Sequence, residues 1–257
     1  MNRGKFIVVS ISLVVSLFLN VFICFLIPLV ASGYFIFKKK RYMKALFIGG
    51  LTFLISQIFL RIPLIKNVLS NMNWYIEISV LYPILYIMFL SLSAGVFEEI
   101  GRYLAFKIVL KNNKRWIDGI AFGIGHGGIE AIILLGIPSL ITLVKVISLN
   151  LGYSSKVNTE ILIKLYSMNI EVLIGGVERI LAIIIHVGLS LLILYGINKK
   201  EIRYLFIAIM LHGLVNFCAV FLGQLGGSVF IVECVIGIFA LGFLIFTFKS
   251  KKIFENF

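Results

Sequence analysis

Long uninterrupted apolar runs govern what this chain can become. They cover residues 6–37, 45–65, 76–110, 116–137, 170–197, 204–222 and 229–248. A stretch of about 20 apolar residues spans the hydrocarbon core of a bilayer as an α-helix, and a helix satisfies all of its backbone polar groups internally. The chain is 61% hydrophobic and 14% charged, with mean hydropathy +1.10. Soluble domains are about 45–50% apolar and about 25% charged, so a soluble globule is excluded. The expected fold is all-α, a polytopic transmembrane helix bundle of about seven spans. Residues 138–150 are apolar but short for a span, and are expected to form a re-entrant or surface helix. Residues 151–169 read as a polar loop. Seven spans leave little chain for anything else, so residues 1–257 are read as one membrane domain. The first run is too long for the apolar core of a cleavable signal, about 7–15 residues, and reads as a retained helix.

The net charge of +13 comes from 24 Lys and Arg against 11 Asp and Glu. A basic chain can signal nucleic acid, but here the bases cluster at the ends of alternate runs. Lys38 to Lys44, Lys107 to Arg115, Lys199 to Arg203, and Lys249 to Lys252 carry most of them. Cytoplasmic loops of membrane proteins collect Lys and Arg. The charge is therefore read as topology, with no nucleic-acid partner, in a plasma-membrane protein whose N-terminus lies outside and C-terminus inside. Arg3 and Lys5 weigh the other way. Cys24, Cys218 and Cys234 all lie in apolar runs without a paired framework, which points to small hydrophobes rather than disulfides.

Against this background a few polar residues stand out. A charge near the bilayer centre costs about +2.5–3.5 kcal/mol on insertion scales. Yet Glu98, Glu99, Arg102, Glu130, Glu178, Arg179 and Glu233 lie within the runs, as do all three histidines, His126, His186 and His212. At about 1.5 Å per residue, Glu98, His126, His186 and His212 each fall about 14–16 Å from the basic end of their helix, and Asn216 about 20 Å. Four separate helices thus bring polar groups to one level. Pairs four residues apart share a helix face, which joins His126 to Glu130, His186 to Ser190 and His212 to Asn216. Arg102 follows the glutamate pair closely enough to hold one carboxylate ionised and leave the other facing a cavity. The Gly119, Gly123, Gly127 spacing lets helix backbones approach closely and would press His126 against a neighbour. Glu178, Arg179 and Glu233 are expected to pair structurally between the fifth and seventh spans.

Hydrolysis is the chemistry such a set supports. A glutamate withdrawn from water is a stronger base and can activate a water molecule. Histidine and asparagine donors can stabilise the oxyanion that forms on an attacked carbonyl. Alternatively, two or three histidines with a glutamate suit a divalent metal such as zinc, which activates the water itself. The metal ligands would then come from His126, His186, His212 and Glu99. Spacing along the chain leaves both mechanisms open, because the groups come from separate helices.

At these residues the sequence resembles a known group. Glu98-Glu99-Ile-Gly-Arg102, Phe122-Gly-Ile-Gly-His126 and His212-Gly-Leu-Val-Asn216 look like the motifs of the CAAX-protease and bacteriocin-processing intramembrane peptidases. The YhfC family of membrane peptidases is the closer match, since His126-Gly-Gly-Ile-Glu130 and His186-xxx-Ser190 also fit it. The resemblance covers roughly residues 5–250. One departure is that two residues, not three, separate the glutamate pair from Arg102, which changes the angle between them. The resemblance implies that Glu98 or Glu99 activates water and that Arg102 orients the pair. It implies that His126 and His212 are oxyanion donors or metal ligands and that Asn216 is an oxyanion donor. Glu130, His186 and Ser190 form a second tier. The substrate would be a membrane-associated peptide or protein. Two other classes compete with this peptidase reading: a non-catalytic immunity or partner-binding protein, and a small proton-coupled transporter, since buried Glu and His chains also relay protons.

Overall fold

The computed structural model describes residues 9–153 and 171–255, and every element among them is helical. Seven helices are long and apolar enough to cross a membrane: α1 (Ile11–Lys38), α2 (Lys40–Asn71), α4 (Pro83–Val109), α5 (Trp116–Asn150), α6 (Val172–Lys199), α7 (Arg203–Gln224) and α8 (Val229–Phe254). An eighth, α3 (Asn73–Leu81), is a short connector between α2 and α4. The chain is thus an all-α, multi-pass helical bundle. The polar loop expected at 151–169 falls, beyond Tyr153, outside the described residues, as do Arg3 and Lys5.

Two expectations about the runs are corrected. The third run is not one helix, because it breaks at Tyr82 (φ −130°, ψ 63°) and restarts with Pro83 in the first turn of α4. Proline lacks an N–H, and its ring disfavours helical geometry at the residue before it. The short extra helix exists, but at Asn73–Leu81 rather than at 138–150. Residues 138–150 instead continue the fourth span through a wider π-helical turn at Ile132–Gly136. The resulting 35-residue helix is about 50 Å long, more than a bilayer core of about 30 Å requires.

Hydrogen bonds between helices fix their relative levels. At the basic end, Lys44 Nζ donates to Val109 O (3.0 Å), Asn198 Nδ2 to Lys114 O (3.0 Å) and Trp116 Nε1 to Thr247 O (3.0 Å). Asp118 closes the first turn of α5 there, accepting from Arg115 N (3.0 Å) and Asn113 Nδ2 (2.8 Å). At the other end, Val9 N donates to Asn150 Oδ1 (2.7 Å). The sequence clusters Lys38 to Lys44, Lys107 to Arg115, Lys199 to Arg203 and Lys249 to Lys252 therefore share one end of the bundle.

Glycine sets how close the helices come. A Cβ on Gly123 would overlap the backbone of Val187 and His186 on α6, and one on Gly119 would overlap Leu191. On its other side α5 meets α2, where a Cβ on Gly125 would overlap the Leu46 backbone and one on Gly49 the Phe122 backbone. Two glycine faces on one helix clamp α5 between α2 and α6 at backbone contact, the arrangement small residues permit in membranes. Phe106, Phe122, Leu189, Leu191, Ile193 and Leu194 fill the space between these helices and the basic end, all essentially fully buried.

Candidate functional site

The polar residues of four helices meet in the middle of the bundle. Glu98, Glu99 and Arg102 on α4 are 3%, 0% and 0% exposed, and His126, His186 and His212 are buried beside them. The ring centroids of His126 and His186 are 4.6 Å apart, and those of His186 and His212 5.4 Å. The close approach of α5 to α6 at Gly123 and Gly127 produces the first of these contacts, since Gly127 faces Ile183 and the His186 ring.

The two adjacent glutamates have different environments. Glu99 turns inward, with Oε2 3.3 Å from Arg102 Nε and Oε1 2.8 Å from His212 Nδ1. Glu98 faces a cavity of about 460 Å³. Its Oε2 lies 2.8 Å from His126 Nε2 and 3.9 Å from His212 Nε2, and its Oε1 accepts a hydrogen bond from Gln57 Nε2. Arg102 thus contacts Glu99, while Glu98 lines the cavity and is held by His126 and Gln57.

Arg102 is also the anchor of α6. Its Nη1 donates to His186 O (2.8 Å) and Ser190 Oγ (2.9 Å), and its Nη2 lies 3.0 Å from His186 Nδ1. Arginine has only donors, so His186 Nδ1 accepts. The ring proton of neutral His186 then sits on Nε2, 2.6 Å from Glu130 Oε2. The four-residue spacing of His186 and Ser190 places both in reach of one guanidinium. Glu130 Oε1 is 2.8 Å from Arg179 Nη1, and Arg179 Nη2 in turn contacts Glu178. The pairing expected between the fifth and seventh spans is corrected here. Arg179 pairs with Glu130 on the fourth span, while Glu233 Oε2 has no hydrogen-bond partner among the described residues.

Four of these side chains can each offer one ligand atom, all within 4.8 Å of one another: Glu98, His126, Glu130 and His186. Relative to the expected set, Glu98 takes the place of Glu99, which is turned to Arg102, and Glu130 enters. His212 stands beside the group with its Nε2 toward Glu98. The donor chemistry fits a divalent ion, since imidazole nitrogens and carboxylate oxygens are the ligands zinc accepts. His126 Nδ1 is buried without a partner, an unusual state for a polar atom. His212 carries one ring nitrogen on the Glu99 carboxylate and turns the other toward Glu98, 3.9 Å away.

The cavity above this floor has one direction. Along each wall its lining runs from the cluster away from the basic end: Phe53 to Ile62 on α2, Glu98 to Leu90 on α4, Glu130 to Leu134 on α5, His186 to Glu178 on α6 and His212 to Val220 on α7. Asn216 lines it one turn above His212. Two lining residues with charged or amide side chains, Gln57 and Arg61, are absent from the sequence-derived set. Gln57 links Glu98 to Arg61, whose Nη1 donates to Gln57 Oε1 (3.0 Å) while Nε donates to Ser93 Oγ (3.0 Å) and Nη2 to Leu90 O (2.6 Å). The signal was present as a polar pair four residues apart inside an apolar run, the spacing that singles out the histidine pairs.

Together these features define a multi-pass helical membrane protein with a buried carboxylate–imidazole cluster at the floor of an intramembrane cavity. Residues 23–236 match the family described as the YhfC intramembrane metalloprotease, and the chain belongs to the YhfC family. It is similar to the uncharacterized membrane protein YhfC of Bacillus subtilis (strain 168), at 34% identity over 262 residues that cover 96% of this chain and 100% of the relative. No solved structure matches the chain. All residues of the cluster lie inside the matched range.

Proposed function

We propose that the protein is an intramembrane peptidase that hydrolyses a peptide bond in the cavity with water activated at the Glu98 cluster. The observation that carries this reading is the gathering of Glu98, His126, Glu130 and His186 from three helices, with ligand atoms within 4.8 Å, at the floor of a cavity lined by charged and apolar groups. The family's description as a metalloprotease supports it. These four residues would hold a divalent ion such as zinc, which when bound polarises a water or a carbonyl oxygen. Glu98 lines the cavity, and Gln57 holds its Oε1, which would fix this carboxylate as a ligand beside the water to be activated. His212, held by Glu99, and Asn216 present donors to an oxyanion above the cluster. Arg102 and Ser190 do not line the cavity and act as positioning residues, fixing Glu99 and His186. The whole chain, 1–257, serves this one activity.

The test is cleavage by purified protein in lipid vesicles, using a library of membrane peptides and reading new termini by mass spectrometry. Wild type is expected to produce discrete new termini that a chelator suppresses. Glu98→Gln and His126→Ala should fold and lose at least about a thousandfold in rate, within the range of catalysis such groups supply. Equal cleavage by wild type and both variants overturns the proposal.

A further inference from the structure

Among the described residues, the cavity extends from the cluster toward one end of the bundle only. On the basic side of the cluster, the helices are sealed by Arg102, Phe106 and Phe122, each at most 1% exposed. The Phe106 and Phe122 rings meet at 4.5 Å with a 32° tilt, and Arg102 lies over the Phe122 ring at 5.9 Å. Between His186 and Lys199, about 20 Å of helix, α6 is packed with buried leucines and isoleucine. No lining residue lies on that side of the cluster. On the opposite side the lining residues Leu134 and Val220 are 47% and 49% exposed. The sealed end is the one that carries the lysine clusters, which mark the cytoplasmic side of membrane proteins.

We propose that this site receives its substrate from the extracytoplasmic face of the membrane, as a peptide segment that passes Leu134 and Val220 and descends to Glu98. The chain then sits with its N-terminus outside and its C-terminus inside. The substrate class follows: polypeptide presented at the outer surface, such as the outer end of a membrane-anchored segment, and not the tail of a cytosolic protein. Arg61 faces that segment on the way down. Its three hydrogen-bonded partners are neutral, and no carboxylate pairs with it among the described residues, so it offers a positive charge to an acidic or C-terminal carboxylate group. The substrate class rests on the peptidase reading, but the sidedness of the cavity does not.

The experiment is therefore one of access, without catalysis. In a background where Cys24, Cys218 and Cys234 are replaced by alanine, Ala182→Cys and Ser91→Cys place reporters on two walls of the cavity, and Lys111→Cys marks the basic end. A small, charged, membrane-impermeant methanethiosulfonate is applied to intact bacterial cells and to inverted vesicles, with denatured protein as the labelling control. The cavity cysteines are expected to react at least about tenfold faster in intact cells, and Lys111→Cys only in inverted vesicles. Faster reaction of Ala182→Cys and Ser91→Cys from the vesicle side overturns the proposal, as does equal protection from both sides. Modification of Lys111→Cys in intact cells overturns it too. A failure to cleave peptides with these labelling results intact would count against the peptidase reading alone.

Discussion

Replacing Arg102 by methionine removes one guanidinium and leaves three consequences. Glu99 keeps only His212 as partner, the carbonyl and Nδ1 of His186 each lose a donor, and Ser190 loses its contact to α4. Both members of the Arg102–Glu99 pair are fully buried. Breaking a buried pair from one side costs about 3–5 kcal/mol, because the remaining charge is stranded. That corresponds to roughly two to three and a half decades in the unfolding equilibrium at about 1.4 kcal/mol per decade. Glu99→Gln alone should cost a similar amount by stranding Arg102. The double variant removes both charges and should lose less than the sum of the singles, by about 1–3 kcal/mol. Arg102→Lys keeps the charge but not the fork that reaches Glu99, His186 and Ser190 together, and should fall between wild type and Arg102→Met. The assay is reversible unfolding in bicelles by added denaturing detergent, followed by far-UV circular dichroism. Arg102→Met within about 1 kcal/mol of wild type would refute the reasoning, and so would strict additivity of the two single variants.

Three further outcomes follow from the packing and the site. Gln57→Leu strips the donor from Glu98 Oε1 and should weaken zinc binding about 10–100-fold, the usual effect of losing a supporting hydrogen bond to a ligand. Ser93→Ala, whose hydroxyl bonds Arg61 and the Leu90 carbonyl but not Glu98, should bind zinc within about twofold of wild type by titration calorimetry. Gly123→Val forces a side chain into the Val187 backbone and should destabilise by about 1–3 kcal/mol or more, read as a lower melting temperature in detergent. Glu233→Met removes a buried carboxylate oxygen that lacks a partner and should raise that melting temperature, by about 1–3 kcal/mol of stability at most.

Position along each helix was legible in the sequence, while rotation about its axis was not. Counting residues from the basic ends put Glu98, His126, His186 and His212 at one level, and they do meet. The same counting could not say which of Glu98 and Glu99 faces the cavity, because adjacent residues differ by about 100° around a helix of 3.6 residues per turn. That angle is set by which face of α4 packs against α7, where Gly95 meets the Ile209 backbone. It was equally silent on Arg179, whose partner lies on α5 rather than α8. The glycine spacing did carry rotational information, since Gly119, Gly123 and Gly127 share the face that meets α6. The break at Tyr82 was written in Pro83. The 35-residue length of α5 was hidden, since residues 138–150 look too short for a span only when counted apart from the helix they continue.

Metal content tests the central claim most directly. The account predicts about one divalent ion per chain in wild-type protein purified without chelator, measured by elemental mass spectrometry, with zinc as the expected element. The Glu98→Gln/His126→Ala double variant, folded by circular dichroism, should retain less than about a tenth of it, since two of four ligands are gone. Wild-type protein that folds normally, cleaves peptide and carries no stoichiometric metal, even after incubation with zinc, would contradict the account.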